Sequence, residues 1–387
     1  MAGIYIHIPF CRQACLYCNF HFSTSLRFKN DLITALLKEI ALCTAYHNNN
    51  HIETIYFGGG TPSLLSAQTL GTILDALRHK FVISDTAEIT LEANPDDISA
   101  PQLTAWKSIG INRLSIGVQS FFEEDLKWMN RAHTAEQSVN SIVQAQHAGF
   151  NNLTIDLIYG SPGLSDEKWQ RNVQQVIDFN IPHVSCYALT VEPKTALHSM
   201  IAKNKMQDTD PEQQARQFMQ LISWLENAGY EHYEISNFSI PGKRSRHNTS
   251  YWQGKPYYGF GPSAHSFNGT DTRSWNIANN ALYIQSISQN NIPVEKELLT
   301  SVQRLNEYIM TSLRTMEGID LSHIQTSFGE THAQRILLAA QPYTNEKIIL
   351  TNNTLKLTNA GKLFADGIAA DLFEEREQAT GDSELHP

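Results

Sequence analysis

Cys11, Cys15 and Cys18 stand in the spacing C-x3-C-x2-C, directly after the apolar run IYIHI at residues 4–8. Three thiolates on one short loop suit a soft metal centre. Zinc is one reading: a structural zinc ion takes four ligands, and His7 or His21 can supply the fourth. The other is an iron–sulfur cluster of the 4Fe–4S type, in which three thiolates leave one iron open to an exogenous ligand. Further along stands Gly58-Gly59-Gly60-Thr61-Pro62, where successive glycines let backbone approach a ligand closely and exposed N–H groups can bind a carboxylate. Glu92, Gln119, Arg131 and Asp156 follow at wide spacing, and the string His247-Asn248-Thr249-Ser250-Tyr251-Trp252 lies in an aromatic-rich stretch.

These residues need a scaffold, and the sequence supplies a regular one. β-rich runs occupy 4–8, 53–57, 88–92, 112–117, 152–158 and 183–187, and amphipathic segments separate them. In 26–46 the stripe Leu32, Leu36, Ile40, Cys43 recurs at helical spacing. Residues 66–80, 100–109, 135–148, 165–179 and 211–228 read the same way. Strand–helix alternation predicts parallel β/α units, and six in succession suit an open or partial barrel. On that reading the polar residues share one property. Glu92, Gln119 and Asp156 sit at or near the C-terminal ends of successive strands, the face where barrel sites form, and Arg131 lies on the segment after the fourth.

Past residue 230 the pattern changes. Residues 239–270 hold many Gly, Pro, Tyr, Trp and His without a clear period and read as a long ordered loop. Residues 298–373 read as helical, with a short β-like run and a last helix, in a winged-helix-like layout. Such layouts often bind DNA, but this stretch has six Lys/Arg against seven Asp/Glu, which favours an interaction or covering role. The expected organisation is a core at 1–235, an aromatic connector at 236–297, a helical domain at 298–373 and a polar, disordered tail at 374–387.

Composition narrows the class. The chain of 387 residues is 41% hydrophobic with a net charge of −10, so a nucleic-acid-backbone binder is not expected. No apolar run approaches membrane-spanning length, and the N-terminus lacks the build of a secretory signal. Five cysteines, an odd count, argue against a disulfide framework and for a reduced, cytoplasmic setting. Cys43 on its helical stripe and Cys186 in a strand read as core thiols.

C-x3-C-x2-C with Tyr17 before the last cysteine resembles the signature of the radical S-adenosylmethionine (SAM) superfamily. The wider text YIHIPFCRQACLYCNF resembles the coproporphyrinogen III oxidase-like family within it, nearest to its heme-chaperone members of the HemW type. The resemblance spans roughly residues 4–270. It implies a partial (β/α)6 TIM-like barrel of α/β class, followed by the smaller winged-helix-like domain. It implies that Cys11, Cys15 and Cys18 ligate a 4Fe–4S cluster whose open iron chelates SAM. It further implies that Tyr5, Tyr17, Gly59, Gly60, Thr61, Glu92, Gln119, Arg131 and Asp156 contact SAM, with Ala188 a softer match.

Two features separate the branches of that family. The oxidase usually carries a cysteine two residues after the third ligand, where this chain has Phe20, and a longer N-terminal extension before its first strand. The H-N-x-x-Y-W string resembles the heme-binding hallmark of the chaperones, with His247 as an axial ligand and His265 as a rival. Tyr251, Trp252, Tyr257, Tyr258 and Phe260 offer flat apolar area for a porphyrin, and Lys243, Arg244, Arg246 and Lys255 offer partners for its propionates. The resemblance therefore implies a heme chaperone that passes heme to an acceptor protein, a membrane-bound acceptor met peripherally being one form of it. The alternative is an oxygen-independent coproporphyrinogen III oxidase, which removes propionate carboxyls by radical chemistry, or another radical SAM oxidoreductase acting on a tetrapyrrole.

Overall fold

The computed structural model describes residues 2–44 and 51–374. Two compact units divide after Glu297. The first is built on β1 (Ala2–Ile8), β2 (His51–Gly59), β3 (Val82–Ala93), β4 (Arg113–Gln119), β5 (Leu153–Tyr159) and β6 (His183–Ala188), parallel and adjacent in that order. The crossovers carry α1 (Lys29–Leu42), α2 (Ala67–Lys80), α3 (Ala100–Ser108), α4 (Glu123–Trp128), α5 (Ala135–His147) and α6 (Asp166–Asp178). After β6 come α7 (Ala196–Ala202) and α8 (Pro211–Asn227). The partial barrel expected from the strand–helix alternation is therefore present.

The helices form where the sequence marks them. α2 starts at Ser66, whose hydroxyl accepts from Thr69 N–H, and ends on Arg78, His79 and Lys80, which suit the negative end of its dipole. α5 starts at a Thr134–Gln137 capping box. α1 buries Leu32, Leu36 and Ile40 on one face, as its period demands. Cys43 and Cys186 are both buried, in keeping with their reading as core.

Residues 239–270 are not the loop that their composition implies. They contain α9 (Arg246–Trp252), β9 (Tyr257–Phe260) and β10 (His265–Phe267), after β7 (Glu231–Glu234) and β8 (Asn237–Ser239). β9 pairs parallel to β1, so the sheet continues past its first strand. β11 (Thr272–Asn276), α10 (Asn280–Ser288) and β12 (Val294–Leu298) follow, completing an open sheet in the order β12-β11-β10-β9-β1-β2-β3-β4-β5-β6-β8-β7. The segment 236–297 thus belongs to the sheet unit and is not a separate connector. Tyr258 and Phe260, read as porphyrin-facing, are each only 2% exposed and sit in the hydrophobic core.

A buried carboxylate ties this extension down. Glu39 of α1 accepts from the Gly261 N–H, the Asn276 side-chain amide and the Tyr283 hydroxyl. Burial raises its pKa to about 7 against these donors.

The second unit has the helix–strand layout expected for 298–373. α11 (Ser301–Leu313), β13 (Ile319–Asp320), α12 (Leu321–Ser327) and α13 (Glu330–Ala340) precede β14 (Ile348–Thr351) and β15 (Thr354–Leu357). α14 (Asn359–Lys362) and α15 (Ala365–Leu372) close it. Asn352 and Asn353, both at positive φ, turn the β14–β15 hairpin, a conformation asparagine tolerates. Leu305, Ile309, Leu313, Ile336, Ile348 and Leu372 form its own core. The tail expectation falls on residues 375–387, outside the described residues, whereas Glu374 accepts a 2.6 Å bond from His332.

Candidate functional site

The parallel register brings the strand ends level. Ile8 pairs with Gly59, Glu92 with Ser115, and Asp156 with Ser185. The loop after β1 therefore lies over the same barrel mouth as the glycine run and the carboxylates. One cavity of about 400 Å³ collects them. Cys11, Cys15, Cys18 and Tyr17 line it from the first loop, and Gly59, Gly60 and Thr61 from the second. Glu92, Gln119, Arg131, Asp156 and Ala188 complete the set expected from sequence. Tyr5 stands behind this lining, its hydroxyl 3.1 Å from His7 Nδ1.

The thiols are held by polar contacts. The Thr61 hydroxyl donates to Cys11 Sγ at 3.5 Å, and Arg131 donates to Cys15 Sγ at 3.2 Å. Arg131 also donates to the Tyr17 hydroxyl, Asn94 Oδ1 and the Gly117 carbonyl. Burial raises the Cys18 thiol to about 11 and lifts that of Cys11, with Cys15 adding to both. Among the described residues, no three His, Cys, Asp or Glu side chains converge as a single ion requires. His7 has both ring nitrogens engaged, by Tyr5 and the His21 carbonyl, and His21 Nε2 is engaged by Asn280. No single-ion site of the zinc kind is therefore assembled among the described residues. A multi-iron cluster binds each thiolate through a different iron, so a soft three-thiol set facing one cavity beside a cation fits it.

The glycines are required by close approach. A Cβ on Gly60 would stand 2.7 Å from the Phe10 carbonyl oxygen and 2.8 Å from the Phe10 nitrogen. Gly59, at φ +107°, donates its N–H to Glu92 Oε2. Glu92 Oε1 accepts from the Tyr56 hydroxyl at 2.8 Å. Burial raises Glu92 to about 7 and Asp156 to about 6. Gln119 ends β4 at φ +67° beside a register shift, backbone strain of the kind held at binding sites. Sequence reasoning passed over Asn94 and Ser115. Asn94 bridges Arg131 and Thr61, and Ser115 donates to Asp156. Asn94 lies two residues past Glu92, a strand-end position that marks it.

His247 lies elsewhere. It lies in the first turn of α9, against Gly3 and Thr54 near the N-terminal ends of β1 and β2. It is 1% exposed; Thr54 Oγ1 contacts Nδ1 and the Tyr251 hydroxyl contacts Nε2, each at 2.8 Å. Burial lowers its pKa to about 3, so the ring is neutral. The ordered-loop setting expected for it is thus replaced by a helix docked on the barrel. Beside α9 is a second cavity of about 500 Å³, lined by Arg244, Arg246, Lys255, Thr249 and Gln253 with Glu53 and Glu231. Arg244 pairs with Glu231, and Arg246 donates to the Thr86 carbonyl. His265 is exposed and lies against Trp275, with ring centroids 5.9 Å apart.

Residues 5–176 match the radical SAM superfamily and 299–364 the HemN C-terminal domain. The heme chaperone HemW of Bacillus subtilis is 32% identical over 373 residues, covering 95% of this chain and 98% of that protein. HemW of Escherichia coli is 38% identical over 268 residues, covering 68% and 69%. The mouse mitochondrial radical S-adenosyl methionine domain-containing protein 1 is 31% identical over 340 residues, covering 84% and 75%. The E. coli coproporphyrinogen III oxidase HemN shares the fold at a TM-score of 0.81 and 24% identity, over 96% of this chain and 90% of that one. Among the described residues, no helix is long and apolar enough to cross a membrane.

Proposed function

The chain belongs to the radical SAM family that includes the HemW heme chaperones, and from that premise we propose that it binds heme and delivers it to an acceptor protein. The observation that carries the reading is the pairing of two separate cavities on one unit. One has three thiols at the barrel mouth; the other lies beside the H-N-x-x-Y-W helix with three cations in its wall. Phe20, 69% exposed at the position where the oxidase resemblance calls for a cysteine, supports the chaperone over the oxidase.

At the barrel mouth Cys11, Cys15 and Cys18 hold a 4Fe–4S cluster, with Thr61 and Arg131 donating to two of the sulfurs. Such a cluster supplies an open iron for SAM and a site for one electron. Glu92 and Asp156 accept from ribose hydroxyls, and the Gly59–Gly60 backbone admits the amino acid moiety.

At the second cavity Arg244, Arg246 and Lys255 meet heme propionates at its rim. His247, set behind Thr54 and Ser250 of that wall, serves as iron ligand through Nε2. Thr54 then fixes the tautomer, accepting from Nδ1–H, as the partner of a metal-binding histidine should. The Tyr251 hydroxyl occupies Nε2 and must leave for iron to bind, which lowers the affinity for heme and suits a carrier that hands it on.

The test is transfer. Hemin-loaded protein incubated anaerobically with apomyoglobin should give up its heme and restore the acceptor's spectrum. Production of protoporphyrinogen from coproporphyrinogen with SAM and reductant would establish the oxidase in its place.

A further inference from the structure

The two cavities are connected by a column of side chains through the barrel interior. Glu92 accepts from the Tyr56 hydroxyl. The Tyr56 ring stacks on His247, with centroids 5.0 Å apart and planes at 22°, and lies against Tyr5 at 6.2 Å. His247 is clamped by Thr54 and Tyr251, while Glu88 accepts from the backbone N–H groups of Arg246 and His247. Thr54 and Tyr56 alternate onto one face of β2, and Glu88 and Glu92 share a face of β3. β2 therefore meets α9 through Thr54 and Tyr56 and meets Glu92 through Tyr56, while β3 meets α9 through Glu88 and carries Glu92.

We propose that Tyr56 is a positioning residue for Glu92, that His247 holds it in place, and that occupancy of His247 is thereby coupled to SAM affinity. The proposal rests on Glu92 contacting SAM. Glu92 is fixed by two donors, Tyr56 and Gly59 N–H, one to each oxygen. Loss of the Tyr56 donor frees the carboxylate to rotate and leaves one oxygen without its partner in a poorly solvated site. Tyr56 is itself only 9% exposed, and its ring rests on the imidazole. A ligand that takes Nε2 from Tyr251 and shifts the imidazole alters that support. Any such effect is reciprocal, so SAM changes the affinity for that ligand by the same factor.

SAM titrations by calorimetry on cluster-loaded protein decide it, with iron content as the control for folding. Glu92→Gln should bind SAM weakly. Tyr56→Phe, which keeps the ring and loses the hydroxyl, should bind about tenfold more weakly than wild type. His247→Ala should also weaken SAM binding, although it lies at the other end of the strands, and His247→Phe should restore part of the loss by keeping a ring on Tyr56. Hemin should shift SAM affinity several-fold in wild type and not in Tyr56→Phe. Unchanged affinity in Glu92→Gln overturns the SAM site itself. Weakened Glu92→Gln with wild-type Tyr56→Phe overturns the positioning role alone, and equal hemin shifts in both proteins overturn the coupling. A wild type that takes up no hemin overturns the coupling together with the heme reading, while the Glu92 and Tyr56 comparison still decides the positioning role.

Discussion

Tyr251→Phe isolates one hydroxyl on the proposed iron ligand. The bond from that hydroxyl to His247 Nε2 is 2.8 Å, and the two rings meet edge to face at 4.9 Å and 79°. Phenylalanine keeps the ring contact and deletes the hydroxyl, so Nε2 is left without a partner in a slot that is 1% exposed. Unsatisfied buried acceptors cost about 1–3 kcal/mol; partial relaxation of the imidazole puts this case near ~1 kcal/mol. That cost falls on the free protein alone, because the iron-bound form has already surrendered the bond. Hemin should therefore bind about fivefold more tightly to the variant. The free protein should melt about 2 °C lower. Hemin titration followed by difference absorbance, beside a thermal melt, measures both. A lower melting temperature with unchanged or weaker hemin binding would refute ligation through Nε2.

Three further outcomes are expected. Cys15→Ser should abolish the brown cluster absorbance and lower iron content while the melt of the fold persists, since Cys15 lies on a surface loop. Gly60→Ala places a methyl group against the backbone at Phe10, next to Cys11, and should cost cluster retention more than folding, as iron per chain will read. Glu39 is the pH-sensitive member. Its folded pKa, raised by burial to about 7 from 4.5, means the fold favours the neutral acid; the stability it lends is complete below about pH 4.5 and is lost as pH rises through about 7. Urea melts of Glu39→Gln from pH 4.5 to 8 should therefore slope less than wild type, and parallel slopes would contradict the assignment.

The barrel was legible because its signals are local. Six apolar runs alternate with helical stripes, and Glu92, Gln119 and Asp156 sit at or near the ends of their runs, so strand direction alone brings them to the mouth that the cysteine loop covers. The extension was not legible for the opposite reason. β9, β10 and β11 are three to five residues long, too short to show a period, and β9 joins β1 through pairing between residues some 250 apart in sequence. The same non-locality hid the setting of His247. Its neighbours Thr54, Tyr56 and Glu88 come from β2 and β3, and no pattern around residue 247 announces them. Asn94 and Ser115 were missed because their role is to bridge other site residues, which spacing does not encode.

A heme site built around His247 is tested most directly by titrating hemin into the anaerobically purified, cluster-loaded protein and its His247→Ala variant. Wild type should saturate near one heme per chain, and the variant should show a displaced Soret band with weakened binding. The same Soret band and affinity in both proteins would contradict it and shift attention to His265, the exposed imidazole beside Trp275.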